Sequence, residues 1–178
     1  MSTVLLGEEL YDQSMSDERC RELDAVVARL RLGDPTSMDR LEGLKDVEGC
    51  IAEGLRRSAA VGDWSSFERY VIAASRYPHR SMSEVLCDVL SRQLDTVNNE
   101  DIVEVLEMVA DPNTVGCLEN ALHWEPPWDE YRQLAKKAVW ALGAIGTSEA
   151  KEVLRDAAST ASVEIREAAA RELRRAGG

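Results

Sequence analysis

The chain has 178 residues and a formal net charge of −12, with 44% hydrophobic and 30% charged residues. This length and composition suit a single domain, 1–178, with one continuous core. The acidic balance argues against DNA or RNA as a direct ligand, because nucleic-acid binding needs Lys and Arg to neutralise phosphate.

No apolar run approaches the roughly 20 residues that cross a bilayer, which predicts no membrane contact. The N-terminal residues MSTVLLGEEL lack the basic region of a secretory signal, so we expect a cytoplasmic protein. The cysteines, at positions 20, 50, 87 and 117, form no CxxC pair. We expect them to be small buried residues rather than disulfides or zinc ligands.

The first half of the chain shows apolar residues at helical spacing, and aromatic residues make up only 5% of the whole sequence. Residues 1–15 are expected to be loosely ordered. The predicted helices are 16–32, 38–61, 64–75 and one from residue 81 or 83 to 94. The segment 38–61 is interpreted either as one long helix or as two helices joined by a bend near 47–49. A turn is predicted at 33–37, where the sequence is GDPTS.

The second half continues the pattern with clearer helix caps. Asn98 and Asn99 cap a helix that carries Ile102, Leu106 and Val109 on one side. Asp111–Pro112 forms a turn before the next helix, whose apolar stripe is Val115, Leu118 and Leu122. Three further helices follow in 131–175, separated by Gly146–Thr147 and by a loop before Ser162. About nine helices result, and no stretch alternates as a strand would.

Similar residues recur at intervals that indicate a repeat. Leu106 and Leu142 are 36 residues apart, and Leu142 and Leu173 are 31 apart. The run AVWALGAIG, followed by a capped helix and VEIREAA, resembles the HEAT repeat, most closely the short variety of bacterial phycobilin-lyase-like proteins. The resemblance implies an all-α, HEAT-like α-solenoid of antiparallel helix pairs, clearest over 64–178.

The sequence offers little for catalysis. The two histidines, His79 and His123, both stand beside prolines or turns. HEAT-type hydroxylases hold iron with His-Glu pairs, and no such dipeptide occurs. We expect no enzyme activity, no metal and no cofactor. A phycobilin-lyase-like or other HEAT-type enzyme, or a scaffold, is the alternative that the repeat type implies.

Acidic residues are concentrated in Glu84–Glu125, which holds ten of them and a single basic residue. The spacing predicts one acidic line on a helix, with Glu84 and Asp88 sharing a face of the preceding helix. This line consists of Glu100, Glu104, Glu107 and Asp111. It is interpreted either as a partner-binding surface or as a solvated face.

The loop HWEPPWDEY contains Trp124 and Trp128 around a rigid Pro-Pro, with Glu125 and Asp129 beside them. The two tryptophans are interpreted either as exposed binding anchors or as a seal over the seam between repeats. Trp140 lies on a helix beside Ala141 and Leu142 and is predicted to be a core residue.

These features predict a protein that binds another protein through an acidic surface. Small acidic α-solenoids resemble the immunity proteins of bacterial toxin systems, and this resemblance implies a basic toxin, for example a nuclease, as the partner. An acidic surface can mimic phosphate and speeds association with a basic protein.

Overall fold

The computed structural model describes residues 19–30 and 39–177. Within these ranges the chain forms nine α-helices and no strand, which confirms the all-α prediction. The helices are α1, residues 19–27; α2, Val47–Val61; α3, Trp64–Arg76; α4, Ser83–Ser91; α5, Asn99–Val109; α6, Val115–His123; α7, Gln133–Ile145; α8, Ser148–Thr160; and α9, Val163–Gly177. The expectations for 1–15 and for the turn at 33–37 fall outside the described residues.

The predicted helix boundaries hold best where a cap residue sets them. Gly146 ends α7 with a φ of 65°, in the left-handed region that glycine adopts without strain. The Thr147 side chain then accepts a hydrogen bond from the Ala150 amide at 3.2 Å and starts α8. Asn98 caps α5 in the same way by accepting from the Asp101 amide.

The two alternatives for 38–61 are resolved in favour of a break. A short 3₁₀ turn, Asp39–Leu41, precedes α2, and Asp46 has a φ of 52° immediately before that helix begins. The helix predicted to reach residue 94 ends earlier, because Gln93 also adopts a positive φ of 52°. A left-handed residue cannot continue a right-handed helix, so each position stops the chain's regular hydrogen bonding.

The helices pack in a regular order. Each even-numbered helix from α2 to α8 contacts the next even-numbered one, and the odd-numbered helices from α3 to α9 do the same. Each even-numbered helix also contacts the odd-numbered helix that follows it. We call α2, α4, α6 and α8 the even row, and α3, α5, α7 and α9 the odd row.

The core takes apolar residues from both rows. Leu106 and Leu142, predicted from the repeat to be equivalent core positions, are both fully buried in the odd row. Leu86 and Leu118 are their buried counterparts in the even row. Among the helices described, none is both long enough and apolar enough to span a membrane.

The cysteines differ from the prediction, because all four are paired in disulfides. Cys20 of α1 is bonded to Cys50 of α2, and Cys87 of α4 is bonded to Cys117 of α6. Both pairs are 30 residues apart in sequence. A spacing close to one repeat brings together two side chains from neighbouring repeats, which a search for local CxxC motifs does not detect.

Candidate partner-binding face

Helix α5 presents its acidic residues on the side opposite its core stripe, as predicted. Ile102 and Leu106 are fully buried. Glu104 is exposed, and Glu100 and Glu107 are half-buried on the other side of the same helix. The sequence therefore placed these three carboxylates correctly, although two of them are less exposed than a simple solvated face would be.

Asp111, the fourth member of the predicted line, does not join it. Helix α5 ends at Val109, Ala110 turns the chain with a φ of 49°, and Asp111 is only 6% exposed. Its carboxylate accepts a hydrogen bond from the Asn113 amide at 3.1 Å and caps the short 3₁₀ helix Pro112–Thr114. That backbone hydrogen bond lowers the pKa of Asp111, so the residue has a structural role at the turn.

A lysine from α7 crosses to the acidic side of α5. The Lys137 ammonium lies 2.9 Å from Glu100 Oε2 and 2.5 Å from Glu104 Oε1. Burial works to lower the pKa of Lys137, but its hydrogen bonds to Glu104 and Glu100 raise the pKa above its ordinary value. The lysine is therefore held charged, and it partly neutralises two of the predicted site residues.

The negative charge of other carboxylates on this side of α5 is only partly neutralised. Burial raises the pKa of Asp101 and of Glu107, and the neighbouring Glu104 raises both further. Glu107 is also affected by Glu172 of α9, a residue that the sequence did not single out. Carboxylates that lie close together on a partly desolvated surface raise one another's pKa. The raised pKa values of Asp101 and Glu107 therefore indicate that negative charge is concentrated on this side of α5.

Glu172 reaches the patch because α7 has a glycine opposite it. A Cβ atom added at Gly143 would lie 2.6 Å from Glu172 Oε2, so the glycine makes room for the carboxylate. Glu172 is only 7% exposed, and Arg175 lies 3.5 Å from its Oε2. A glycine in the middle of a helix, three residues after a tryptophan, was the one signal in the sequence for this close approach.

Trp140 contradicts the prediction that it belongs to the core. Its indole is 40% exposed, whereas Val139 and Ala141 on either side are fully buried. Lys137, one turn before it, contacts α5, and Gly143, one turn after it, lies against α9. Position 140 therefore faces outward between α5 and α9, because residues three apart share one side of a helix.

These residues form one continuous surface of the odd row, which we call the acidic–tryptophan face. It consists of Glu100, Glu104, Glu107, Lys137, Trp140, Glu172 and Arg175. Met108, which follows Glu104 by one helical turn, adds a second exposed apolar side chain next to it. The helical spacing therefore places Trp140 of α7 between the carboxylates of α5 on one side and Glu172 of α9 on the other.

Glu84 and Asp88 lie apart from this face. Both are exposed on α4 in the even row, where they line a cavity of about 320 Å³ together with Arg56 and Ala59 of α2. Asp88 also pairs with Arg92 one turn later in α4. The structure thus divides the predicted acidic residues between the two rows.

The loop between α6 and α7 is folded back onto the protein. Trp124 is half-buried against the core and meets Trp128 edge-to-face, with ring centroids 5.8 Å apart. The Trp128 indole donates a hydrogen bond to Asp95 Oδ1 at 3.0 Å, although the residue stays 41% exposed. Asp129 is buried and accepts from the amides of Gln133 and Leu134, which caps α7.

This geometry gives the loop residues structural contacts. Glu125 pairs with Arg132, which also donates to the Leu122 carbonyl at 3.1 Å. Of the two tryptophans interpreted as a seal or as anchors, Trp124 is half-buried against the core and Trp128 stays 41% exposed. A binding role for Trp128 and Glu125 stays a prediction.

The described residues contain no group of three or more His, Cys, Asp or Glu placed to hold a metal ion. His79 is engaged at the start of a 3₁₀ helix, where its Nδ1 lies 2.9 Å from Ser81 Oγ. His123 is exposed at the last position of α6.

Comparison with known proteins adds no relative. No protein-family model matches the sequence, and no curated protein matches it. The resemblance to HEAT repeats therefore depends on the residues and spacings given above.

Proposed function

We propose that the chain is a HEAT-like α-solenoid of antiparallel helix pairs that binds a basic protein through its acidic–tryptophan face. Support for the solenoid comes from the packing order, in which each helix from α2 onward contacts the next helix but one. Such an order lets every repeat cover the apolar side of its neighbour and leaves the outer surface of each row available to a partner.

The observation that carries the binding role is the outward position of Trp140. Tryptophan is highly buried on average, and an exposed indole in the middle of a well-packed helix is a typical anchor of a protein interface. Its position on α7 lies between the carboxylates of α5 and α9, and a guanidinium over an aromatic face gains from both the ring and nearby carboxylates. An arginine side chain of the partner therefore fits this position best.

The electrostatics support the same partner. The chain carries a net charge of −12, and the raised pKa values of Asp101 and Glu107 show that the face holds crowded negative charge. A bound cation relieves this repulsion, which makes binding favourable and speeds the encounter. Lys137 pairs directly with Glu100 and Glu104. It also acts to lower the pKa of Asp101 and of Glu107, but burial and Glu104 outweigh it and both pKa values remain raised.

The biological role that fits these properties is inhibition of a basic effector, as an immunity protein inhibits its toxin. A nuclease toxin presents a cationic surface for phosphate, and an acidic face competes for that surface. In this proposal the chain acts by binding and performs no chemistry. A cytoplasmic location stays a prediction, and the two disulfides weigh against it because they persist in oxidising compartments.

The test is binding kinetics with a basic toxin domain encoded next to this gene, together with rescue of growth when both are expressed in a bacterial host. We expect Glu104→Lys to slow association and Trp140→Ala to speed dissociation by the equivalent of about 2 kcal/mol. Glu84→Lys is the matched control, because it changes the same charge on the even row. The proposal fails if Glu84→Lys weakens binding as much as Glu104→Lys does.

A further inference from the structure

The two disulfides close chain segments of equal length but lie in different surroundings. Each joins cysteines 30 residues apart, so the two bonds restrict the unfolded chain to the same extent. Cys20 and Cys50 are both 0% exposed and belong to the hydrophobic core. No reagent reaches that bond without opening of the fold.

The second bond borders open space. Cys87 is half-buried and lines a cavity of about 420 Å³, and Cys117 is 9% exposed behind it. The other lining residues are Arg80, Ser83, Glu84, Asp111, Asn113 and Thr114. A partly open cavity of this size admits a small thiol or the exposed cysteine of another protein.

We propose that Cys87–Cys117 is a thiol-exchange site that reacts with a dithiol reductant, while Cys20–Cys50 is a structural bond that does not. The site is distinct from the acidic–tryptophan face, since it joins α4 to α6 in the even row. It is also independent of the proposed function.

The reaction is an exchange in which electrons and protons balance. A thiolate of the dithiol attacks the sulfur of Cys87, the Cys87–Cys117 bond breaks, and the sulfur of Cys117 leaves as a thiolate that takes a proton from water. The second thiolate of the reagent then attacks its own sulfur in the mixed disulfide and releases Cys87, which is protonated in turn. The dithiol has lost two electrons and two protons, and the two cysteines have gained them.

A hydrogen-bond acceptor already lies beside one of the thiols that reduction would produce. The carbonyl oxygen of Thr114 lies 3.2 Å from the sulfur of Cys117, so the new thiol has a hydrogen-bond acceptor in place. The same carbonyl is 4.0 Å from the sulfur of Cys87. Leu86 of α4 and Leu118 of α6 are fully buried, so both helices have hydrophobic packing that does not depend on the bond.

The experiment measures reduction of the native protein by dithiothreitol, followed by alkylation and mass spectrometry of the four cysteine-containing peptides. We expect Cys87 and Cys117 to be labelled at least tenfold faster than Cys20 and Cys50. Repeating the reaction in denaturant should abolish the difference. Unequal rates in buffer can arise only in the folded state, because unfolding exposes both bonds equally.

Two matched variants complete the test. Cys20→Ser/Cys50→Ser should leave the reduction rate of Cys87–Cys117 unchanged, and Cys87→Ser/Cys117→Ser should leave Cys20–Cys50 resistant. Equal reduction rates in the native wild-type protein, or faster reduction of Cys20–Cys50, would overturn the proposal. Four free thiols in protein purified without reductant would overturn it as well. The wild-type measurement decides even if a variant fails to fold.

Discussion

The even and odd rows are built from the same helix pairs, but their helices are joined by different interactions. The even row is covalently tied, since Cys87 of α4 is bonded to Cys117 of α6. The odd row has no such bond among its described helices and is joined by charged side chains, with Lys137 of α7 paired to Glu100 and Glu104 of α5. The two rows therefore differ in how their helices are tied together, and the proposed function assigns the partner-binding face to the row without the disulfide.

The odd row also retains more energetically unfavourable features than the even row does. It holds carboxylates whose pKa values are raised by burial and by one another, and it leaves Trp140 40% exposed. Surfaces that bind partners commonly retain such unfavourable features because the partner removes them. The predictions below test whether the rows differ in this way.

The largest expected effect is common to both rows and provides the baseline. Leu106→Ala and Leu142→Ala in the odd row, and Leu118→Ala in the even row, should each lower the free energy of unfolding by roughly 2–5 kcal/mol. All three leucines are fully buried, so a cavity is left in each case. Denaturant titration measures the loss, and a loss below about 0.5 kcal/mol would contradict the packing described for that row.

The next effect belongs to the covalent bonds. Removing Cys87–Cys117 by double substitution with serine should lower the free energy of unfolding by roughly 3–4 kcal/mol, because a closed segment of 30 residues is released in the unfolded chain. Removing Cys20–Cys50 should have a similar effect, since its segment has the same length. Denaturant titration of both variants checks the pair, and a negligible loss for either would show that this bond is absent from the protein in solution.

A third prediction contrasts two tryptophans of different burial. Trp124→Ala should lower the free energy of unfolding by about 2 kcal/mol, because its ring packs against the core and against Trp128. Trp140→Ala should change it by less than about 1 kcal/mol, since Trp140 is 40% exposed in the free protein whereas Trp124 packs against the core. Thermal and denaturant unfolding compare them, and equal large losses would make Trp140 a packing residue.

The smallest expected effect is a pH dependence of the odd row. Burial and Glu104 raise the pKa of Glu107 above 4.5, so the folded state holds this proton more tightly than the unfolded state does. The free energy of unfolding therefore falls as pH rises from about 4.5 through the folded-state pKa. Glu107→Gln should reduce this fall and make the variant slightly more stable than wild type at pH 7.

Melting temperatures from pH 4 to 7 measure this difference. Glu84→Gln is the control, because it removes one exposed carboxylate of the even row and leaves the cluster around Glu107 intact. A Glu107→Gln variant less stable than wild type at pH 7 would show that the carboxylate is satisfied in the folded protein.

Sequence periodicity predicted the helices and much of the core. The burial of Leu106 and Leu142 and the caps at Asn98 and Thr147 follow from local rules, because helix faces and helix ends are set within a few residues. The three carboxylates of α5 were placed correctly for the same reason. Local sequence rules therefore predicted those features that depend on a single helix.

The features that sequence did not predict all involve two helices at once. Lys137 reaches α5 from α7, Glu172 reaches the face through the space above Gly143, and the cysteines pair across a repeat. Trp140 was assigned to the core because its neighbours are apolar, yet its side is set by where α5 and α9 lie against α7. Contacts of this kind depend on how the helices stack, which helical periodicity does not specify.

The most direct test of the central claim is an NMR titration of the four tryptophan indole N–H signals with an arginine-rich peptide, using a glutamine-substituted peptide as the control. Binding at the acidic–tryptophan face predicts a salt-sensitive shift of the Trp140 signal, with Trp64 and Trp124 unchanged and no response to the control peptide. The shift should disappear in Glu104→Lys and persist in Glu84→Lys. An unmoved Trp140 signal, or a shift confined to Trp128, would contradict the account.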